Sequence, residues 1–205
     1  TRMSFGAAAA HLGMNVVATE NAREFSSAIK GETLEDTIRV LCQYHPDVIV
    51  LRHYETGAAE RAAEVSSVPI INAGDGRGQH PTQALLDLYT IIVEKGGIDG
   101  LTVAIGGDLA NGRTARSLAY LLSKFERVVI TFVAPPPLRI GEDIKAHLAA
   151  KGVELVETQC LSSALQSADV VYWTRIQKER LGPEVRYEEV AGRYAIGRGG
   201  MKQMK

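Results

Sequence analysis

Val68-Pro69-Ile70-Ile71-Asn72-Ala73-Gly74-Asp75-Gly76-Arg77-Gly78-Gln79-His80-Pro81-Thr82-Gln83 carries a short apolar run into a glycine-rich loop and then into a helix. The run Val68 to Asn72 reads as a strand, and Pro81 to Glu94 as the helix that follows. Proline suits the first helical position because the N–H it lacks would be unpaired there anyway. The same grammar recurs along the chain. Strands are expected at Asn15 to Ala18, Asp47 to Leu51, Leu101 to Gly106, Val128 to Val133, Val153 to Glu157, Asp169 to Thr174 and, more weakly, Arg193 to Ile196. Helices are expected at Glu32 to Tyr44, Gly57 to Val65, Arg113 to Phe125, Glu142 to Ala150 and Leu161 to Ser167. The strands are nearly continuous apolar runs, as strands covered on both faces should be. Their alternation with helices argues for a parallel α/β sheet.

The chain has 205 residues, enough for one large domain or two of about 100 residues each. The alternation pauses at Glu94-Lys95-Gly96-Gly97-Ile98-Asp99-Gly100, a turn or linker, so a boundary is expected there, between residues 1–96 and 97–205. The expected architecture is α/β, two doubly wound parallel-sheet domains flanking a cleft, a favoured place for ligands. A net charge of −1 excludes a generic nucleic-acid or membrane surface, which would need a basic excess. No apolar run reaches the roughly 18 residues of a membrane span, and no basic-then-apolar leader opens the sequence. Cys42 and Cys160 lack CxxC spacing and imply neither a disulfide framework nor a zinc site; a reducing cytoplasm is the expected setting.

Any anion site must therefore be a local gathering of cations. His80 falls at the start of a helix, at the C-terminal edge of a parallel sheet, where open α/β sheets bind ligands; Gln83 lies one turn on, on the same face. A structural loop with a capping histidine accounts for that spacing equally well. Arg52 ends the strand Asp47 to Leu51 beside His53, a place suited to a phosphate or carboxylate, or to a surface ion pair. Lys30-Gly31 either offers an ammonium to an anion or forms a solvated loop. Gly106-Gly107-Asp108-Leu109-Ala110-Asn111-Gly112 departs from G-x-G-x-x-G, which weighs against a dinucleotide site, and Arg113 then opens a helix. Arg175 and Gln177, two apart, would point the same way if extended and could grip one carboxylate; a mixed-charge surface loop is the alternative. No cluster has metal-ligand spacing and no nucleophile triad stands out. Cations and amides without a nucleophile fit catalysis by positioning and charge stabilisation.

Thr1-Arg2-Met3-Ser4-Phe5, Lys30-Gly31-Glu32-Thr33-Leu34, Leu51-Arg52-His53, the Asn72 to Gln83 block, Gly107-Asp108 to Arg113-Thr114, and Thr174-Arg175-Ile176-Gln177-Lys178-Glu179-Arg180 occur in that order. Together they closely resemble the catalytic chains of the aspartate/ornithine carbamoyltransferase family, from end to end of the sequence. The Arg175 and Gln177 segment looks like the aspartate branch. The resemblance implies transfer of the carbamoyl group of carbamoyl phosphate to L-aspartate, an early step of pyrimidine synthesis, with no cofactor. It implies a carbamoyl phosphate-binding domain over 1–96 and an aspartate-binding domain over 97–205. Thr1 and Arg52 would contact carbamoyl phosphate, with His80 on its carbonyl oxygen and Gln83 near its amino group. Arg113 would bind the aspartate α-carboxylate, and Arg175 and Gln177 its side-chain carboxylate. Lys30 and Ser26 (or its neighbour Ser27) match a loop that reaches into a neighbouring subunit's site, so a homotrimer with shared active sites is implied, with regulatory or partner-enzyme chains possible.

Elementary chemistry agrees with those roles. Two anionic substrates repel one another, and Arg52, Arg113, Arg175 and Lys30 would offset the repulsion. Negative charge grows on the carbonyl oxygen as the amine attacks, and donors from Arg52, His80 and Thr1 would stabilise it; losing one such donor commonly costs about 3–4 kcal/mol. The leaving phosphate could accept the amine proton. The family pattern also has a Ser-Thr-Arg loop ahead of Thr1 and a proline-rich loop and return helix past Lys205, so both ends of the family fold are expected to lie outside this sequence. Ala110 stands where many relatives have lysine, which makes a less cationic aspartate pocket expected. Alternative readings are an inactive or degenerate carbamoyltransferase-like chain, an ornithine-type enzyme and, more remotely, a nucleotide-binding domain.

Overall fold

The computed structural model describes residues 1–19, 31–181, 186–188, 192 and 194–204. Packing separates them into two compact units, Thr1–Gly78 and Gln79–Lys205.

In the first unit, helix α1 (Arg2–His11) is followed by α2 (Leu34–Cys42), strand β1 (Ile49–His53), α3 (Ala58–Val65) and β2 (Ile70–Asp75). Thr33 starts α2: its Oγ1 accepts from the Asp36 N–H at 3.1 Å, satisfying one of the four donors a helix start leaves open. Glu35 and Asp36 place negative charge at the positive end of the helix dipole. β1 and β2 pair in parallel with Leu51 opposite Asn72, and the register then shifts so that His53 faces Asp75. Ile38, Cys42 and Ala62 are buried, with Leu34, Ile49, Leu51, Val65, Val68 and Ile70 packed against them. The period-3.6 apolar face of α2 thus covers the sheet, as its spacing predicts.

Two elements here differ from the sequence reading. Asn15 to Ala18 forms no strand; Val17 is almost fully exposed, and without a partner strand the β-branched pair Val16-Val17 has no ladder to join. Arg2–His11 is helical although no hydrophobic periodicity announces it. Four consecutive alanines, Ala7 to Ala10, give it high intrinsic helix propensity, and it buries no residue.

The second unit holds α4 (Pro81–Lys95), β3 (Thr102–Gly106), α5 (Arg113–Leu122), β4 (Val129–Val133), α6 (Glu142–Ala150), β5 (Glu154–Thr158), α7 (Leu161–Ser167), β6 (Val170–Trp173) and a short terminal helix α8 (Arg198–Met201). Among the described residues its four strands run parallel in the order β5-β4-β3-β6. α4 packs against α5 in this unit, so the turn expected to divide the chain, 94–100, follows the unit's first helix. One apolar core joins Val103, Ile105, Leu118, Leu122, Ile130, Phe132 and Leu148. Each such buried side chain contributes about 1.5–3 kcal/mol relative to its exposed state. Arg193 lies outside the described residues, and Tyr194 to Ile196 are not in a strand.

The strand order places a switch point beside β3. From β3 the chain winds outward through β4 and β5, then returns to lay β6 on the opposite side of β3. Loops leaving the C-terminal ends of β3 and β6 therefore diverge from adjacent strands, the position where open α/β sheets bind ligands. Close approach there requires glycine. Gly106 lies against the Trp173 ring, and Gly107, at φ +102°, lies against the Thr174 carbonyl; a Cβ at either position would collide.

Candidate active site

The residues singled out by sequence fall in both units. In the first, Thr1 is the N-cap of α1 and Arg52 lies near the end of β1. The Arg52 guanidinium donates to Thr1 Oγ1 at 2.7 Å, joining two side chains 51 positions apart. Both are exposed, so this pair presents a cation and a hydroxyl to solvent. His53, beside Arg52, is half-buried and stacks on Tyr54 at 4.4 Å between ring centroids. Its Nδ1 accepts from the Glu55 N–H at 3.1 Å, and burial holds its pKa below the ordinary histidine value. Ser26, Ser27 and Lys30 lie outside the described residues.

In the second unit, His80 is the N-cap of α4 with Pro81 at the first helical position, as the sequence predicts. The His80 backbone N–H donates to Ser117 Oγ at 2.8 Å, and the Ser117 hydroxyl in turn donates to Gln79 Oε1. Ser117 is buried in α5 and fixes the start of α4, which leaves the imidazole at the positive end of a helix dipole. Thr82 Oγ1 lies 3.4 Å from His80 Nδ1. Gln83, three residues on, donates from Nε2 to Asp87 Oδ1 at 2.9 Å.

Arg113 opens α5 directly after the β3 loop and is half-buried, its backbone N–H donating to the Asn111 carbonyl at 3.2 Å. Arg175 and Gln177 follow β6. What brings these two loops together is Asp108, a fully buried carboxylate. Its Oδ1 accepts from the Asn111 N–H at 3.1 Å and from Asn111 Nδ2 at 3.1 Å, and its Oδ2 accepts from the Gln177 N–H at 3.2 Å. Thr174 adds a second tie: its Oγ1 accepts from the Asp108 N–H at 3.1 Å and donates to the Gly106 carbonyl at 3.2 Å. Arg180 Nη1 reaches the Asn111 carbonyl at 3.3 Å. A buried carboxylate persists only when donors surround it, so the cost of its burial makes the arrangement of the two loops specific.

Arg175 and Gln177 lie past the end of β6, in a stretch, 174–177, that is neither strand nor helix. β6 ends at Trp173, and Lys178–Arg180 form a turn of 3₁₀ helix. That turn brings Glu179 back onto Arg175, whose exposed guanidinium grips the carboxylate from both nitrogens. The arginine beside it holds the Glu179 carboxyl down at about 2. Arg175 is thus folded onto an internal carboxylate, the chemical group it was expected to bind. Sequence reasoning gave Asp108, Asn111, Thr174 and Ser117 no role. An aspartate directly after an apolar strand and a glycine pair was the signal for Asp108; nothing local marks Ser117, whose partners, Gln79 and the His80 N–H, lie just ahead of another helix. Among the described residues no group of three His, Cys, Asp or Glu side chains could hold a metal ion.

Two family models match the sequence. The carbamoyl-P binding domain of the aspartate/ornithine carbamoyltransferases matches residues 1–93, and the Asp/Orn binding domain of the same family matches 99–205. Aspartate carbamoyltransferase 1, chloroplastic, of Pisum sativum is 56% identical over 206 residues, covering 100% of this chain and 53% of that protein. The catalytic subunit of Methanocaldococcus jannaschii aspartate transcarbamoylase has a solved structure with 50% identity and a TM-score of 0.88, over 99% of this chain and 66% of that one. Aspartate transcarbamoylase from Trypanosoma cruzi, solved in complex with carbamoyl phosphate and aspartate, matches with a TM-score of 0.89 at 41% identity, over 100% of this chain and 64% of that one. The chain spans about half the length of the plant relatives and under two thirds of the archaeal one. On both matched halves, this chain belongs to the aspartate/ornithine carbamoyltransferase family.

Proposed function

We propose that the intact protein transfers the carbamoyl group of carbamoyl phosphate to the amine of L-aspartate, giving N-carbamoyl-L-aspartate and phosphate, in pyrimidine synthesis. The observation that carries this reading is the Asp108 junction. It ties the Arg113 loop to the Arg175–Gln177 segment, within the half that the Asp/Orn binding domain matches. Two arginines served by one junction suit a substrate with two carboxylates, and an ornithine side chain would bring an ammonium instead.

In this reading Arg113 takes the α-carboxylate, and Arg175 with Gln177 takes the side-chain carboxylate, which displaces Glu179 from the guanidinium. Thr1 and Arg52 hold carbamoyl phosphate. His80 donates to the carbonyl oxygen, where its place at a helix start adds to the stabilisation of developing negative charge. Gln83 accepts from the carbamoyl amino group. The amine attacks the carbonyl carbon, the C–O bond to phosphate breaks, and the departing phosphate takes the amine proton. Lys30 and Ser26 serve a neighbouring subunit's site in a homotrimer, and the family's two domains divide at residues 94–100. Two unpaired cysteines support a reducing compartment, the cytoplasm.

The test is turnover of carbamoyl phosphate with L-aspartate or with L-ornithine by the intact protein. Carbamoyl-aspartate as product supports the reading; citrulline alone, or no product with either amine, overturns it. Arg175→Ala should raise the aspartate KM and leave the carbamoyl phosphate Kd unchanged, and equal weakening of both ligands would refute the assignment of Arg175.

A further inference from the structure

Gln83 and Asp87 lie one turn apart on α4, and their side chains meet at 2.9 Å, Nε2 to Oδ1. An ionised carboxylate only accepts hydrogen bonds, whereas an amide has one accepting and one donating end. Asp87 therefore forces the amide to turn its NH2 inward and its Oε1 outward. Resting on the carbamoyl transfer reading above, we propose that Asp87 is a positioning residue that fixes the Gln83 amide orientation and so sets the preference for a carbamoyl over an acetyl donor.

Three elements lock the device. Asp87 is half-buried on α4, and its Oδ2 is buried without a well-aligned hydrogen bond among the described residues; the Tyr172 hydroxyl of β6 is its polar neighbour. Tyr172 in turn lies beside Thr114, in the first turn of α5. Burial pushes the Asp87 carboxyl up, and the Gln83 and Tyr172 donors pull it back toward the ionised form. The outward Oε1 complements an N–H donor. A carbamoyl group has one on its amino nitrogen. An acetyl group of the same size has a methyl there and leaves Oε1 unpaired. With Asp87 absent the amide can turn over, set its own NH2 against the carbamoyl NH2, and lose the distinction.

The experiment compares carbamoyl phosphate with acetyl phosphate as donors to L-aspartate. In both reactions a C–N bond forms, a C–O bond breaks and phosphate leaves. In the isosteric Asp87→Asn variant of the intact protein, the carbamoyl-to-acetyl ratio of kcat/KM should fall about three- to tenfold, the weight of one net hydrogen bond, with the aspartate KM unchanged. Gln83→Ala should lose the same ratio, and adding Asp87→Asn to it should change the ratio no further. A structural role alone would lower both donors equally and leave the ratio intact, which overturns the proposal; so would additive losses in the double variant. A second arm needs no turnover. The ¹⁵N-resolved Gln83 side-chain NH2 resonances should move in Asp87→Asn, and unmoved resonances overturn the proposal. Absence of wild-type carbamoylation would count against the parent reading, while the resonance arm still decides the orientation.

Discussion

Replacing Asp108 with asparagine removes one negative charge and one acceptor from a fully buried position while keeping the side-chain volume. Asp108 accepts the Asn111 N–H on Oδ1 and the Gln177 N–H on Oδ2, with Asn111 Nδ2 shared between the two oxygens. In Asp108→Asn one oxygen can still serve Asn111. The new NH2 then faces the Gln177 N–H, donor against donor. The loss is one charge-assisted hydrogen bond and one half-buried N–H left unpaired, together about 2–3 kcal/mol. For a unit of this size each kcal/mol moves the midpoint by about 4 °C, so Tm should drop by about 8–12 °C in a calorimetric scan. The same change loosens the segment bearing Arg175 and Gln177 from the β3 loop. In the proposed reaction the aspartate KM should therefore rise while carbamoyl phosphate binding persists. A Tm drop below about 2 °C would refute the reasoning, because it would mean that the buried carboxylate contributes less than a single net hydrogen bond.

Further expectations follow from other contacts. Gly106→Ala sets a Cβ into the Trp173 ring and should cost about 1–3 kcal/mol, read as a lower urea midpoint; an unchanged midpoint would show that the ring has room to move. Glu179 should titrate with a midpoint at about 2 by carboxyl NMR and return toward 4.5 in Arg175→Ala. Since its folded pKa is depressed, the Glu179–Arg175 pairing is present above the unfolded value and is lost as pH falls through about 2. An ordinary midpoint for Glu179 in the wild type would refute the pairing. Tyr172 should titrate at about 12, because burial penalises the phenolate. Its folded pKa is raised, so its stabilising effect is whole below about 10 and is lost as pH rises toward about 12. Tyr172→Phe should remove that step from the ultraviolet titration, and a step that survives would assign it elsewhere.

Most of the α/β alternation was legible in the residues themselves. Glu142–Ala150 and Leu161–Ser167 form as helices over the bounds their spacing predicts, and Pro81 begins α4 where a proline is tolerated. These are local effects, fixed by side-chain period and by the hydrogen bonds of a helix start. Local preference failed at Val16-Val17, which has strand propensity and no strand to pair with, and prevailed at α1, whose alanines form a helix with no buried residue. Motif order was enough to point to the family, and through it to Arg52, His80, Gln83, Arg113, Arg175 and Gln177.

Only the folded chain decided how those groups are held. Glu179 closes onto Arg175 because Lys178–Arg180 turn as 3₁₀ helix a few residues beyond β6. Asp108 acquires meaning because β6 returns to the far side of β3 and brings Gln177 to a residue 69 positions earlier in the chain. Ser117 meets His80 across 37 positions through the packing of α4 on α5. Sequence determines side-chain chemistry and short-range geometry, since these depend on a residue and its near neighbours. Which donor meets which buried acceptor depends on strand order and helix packing, which no local window contains.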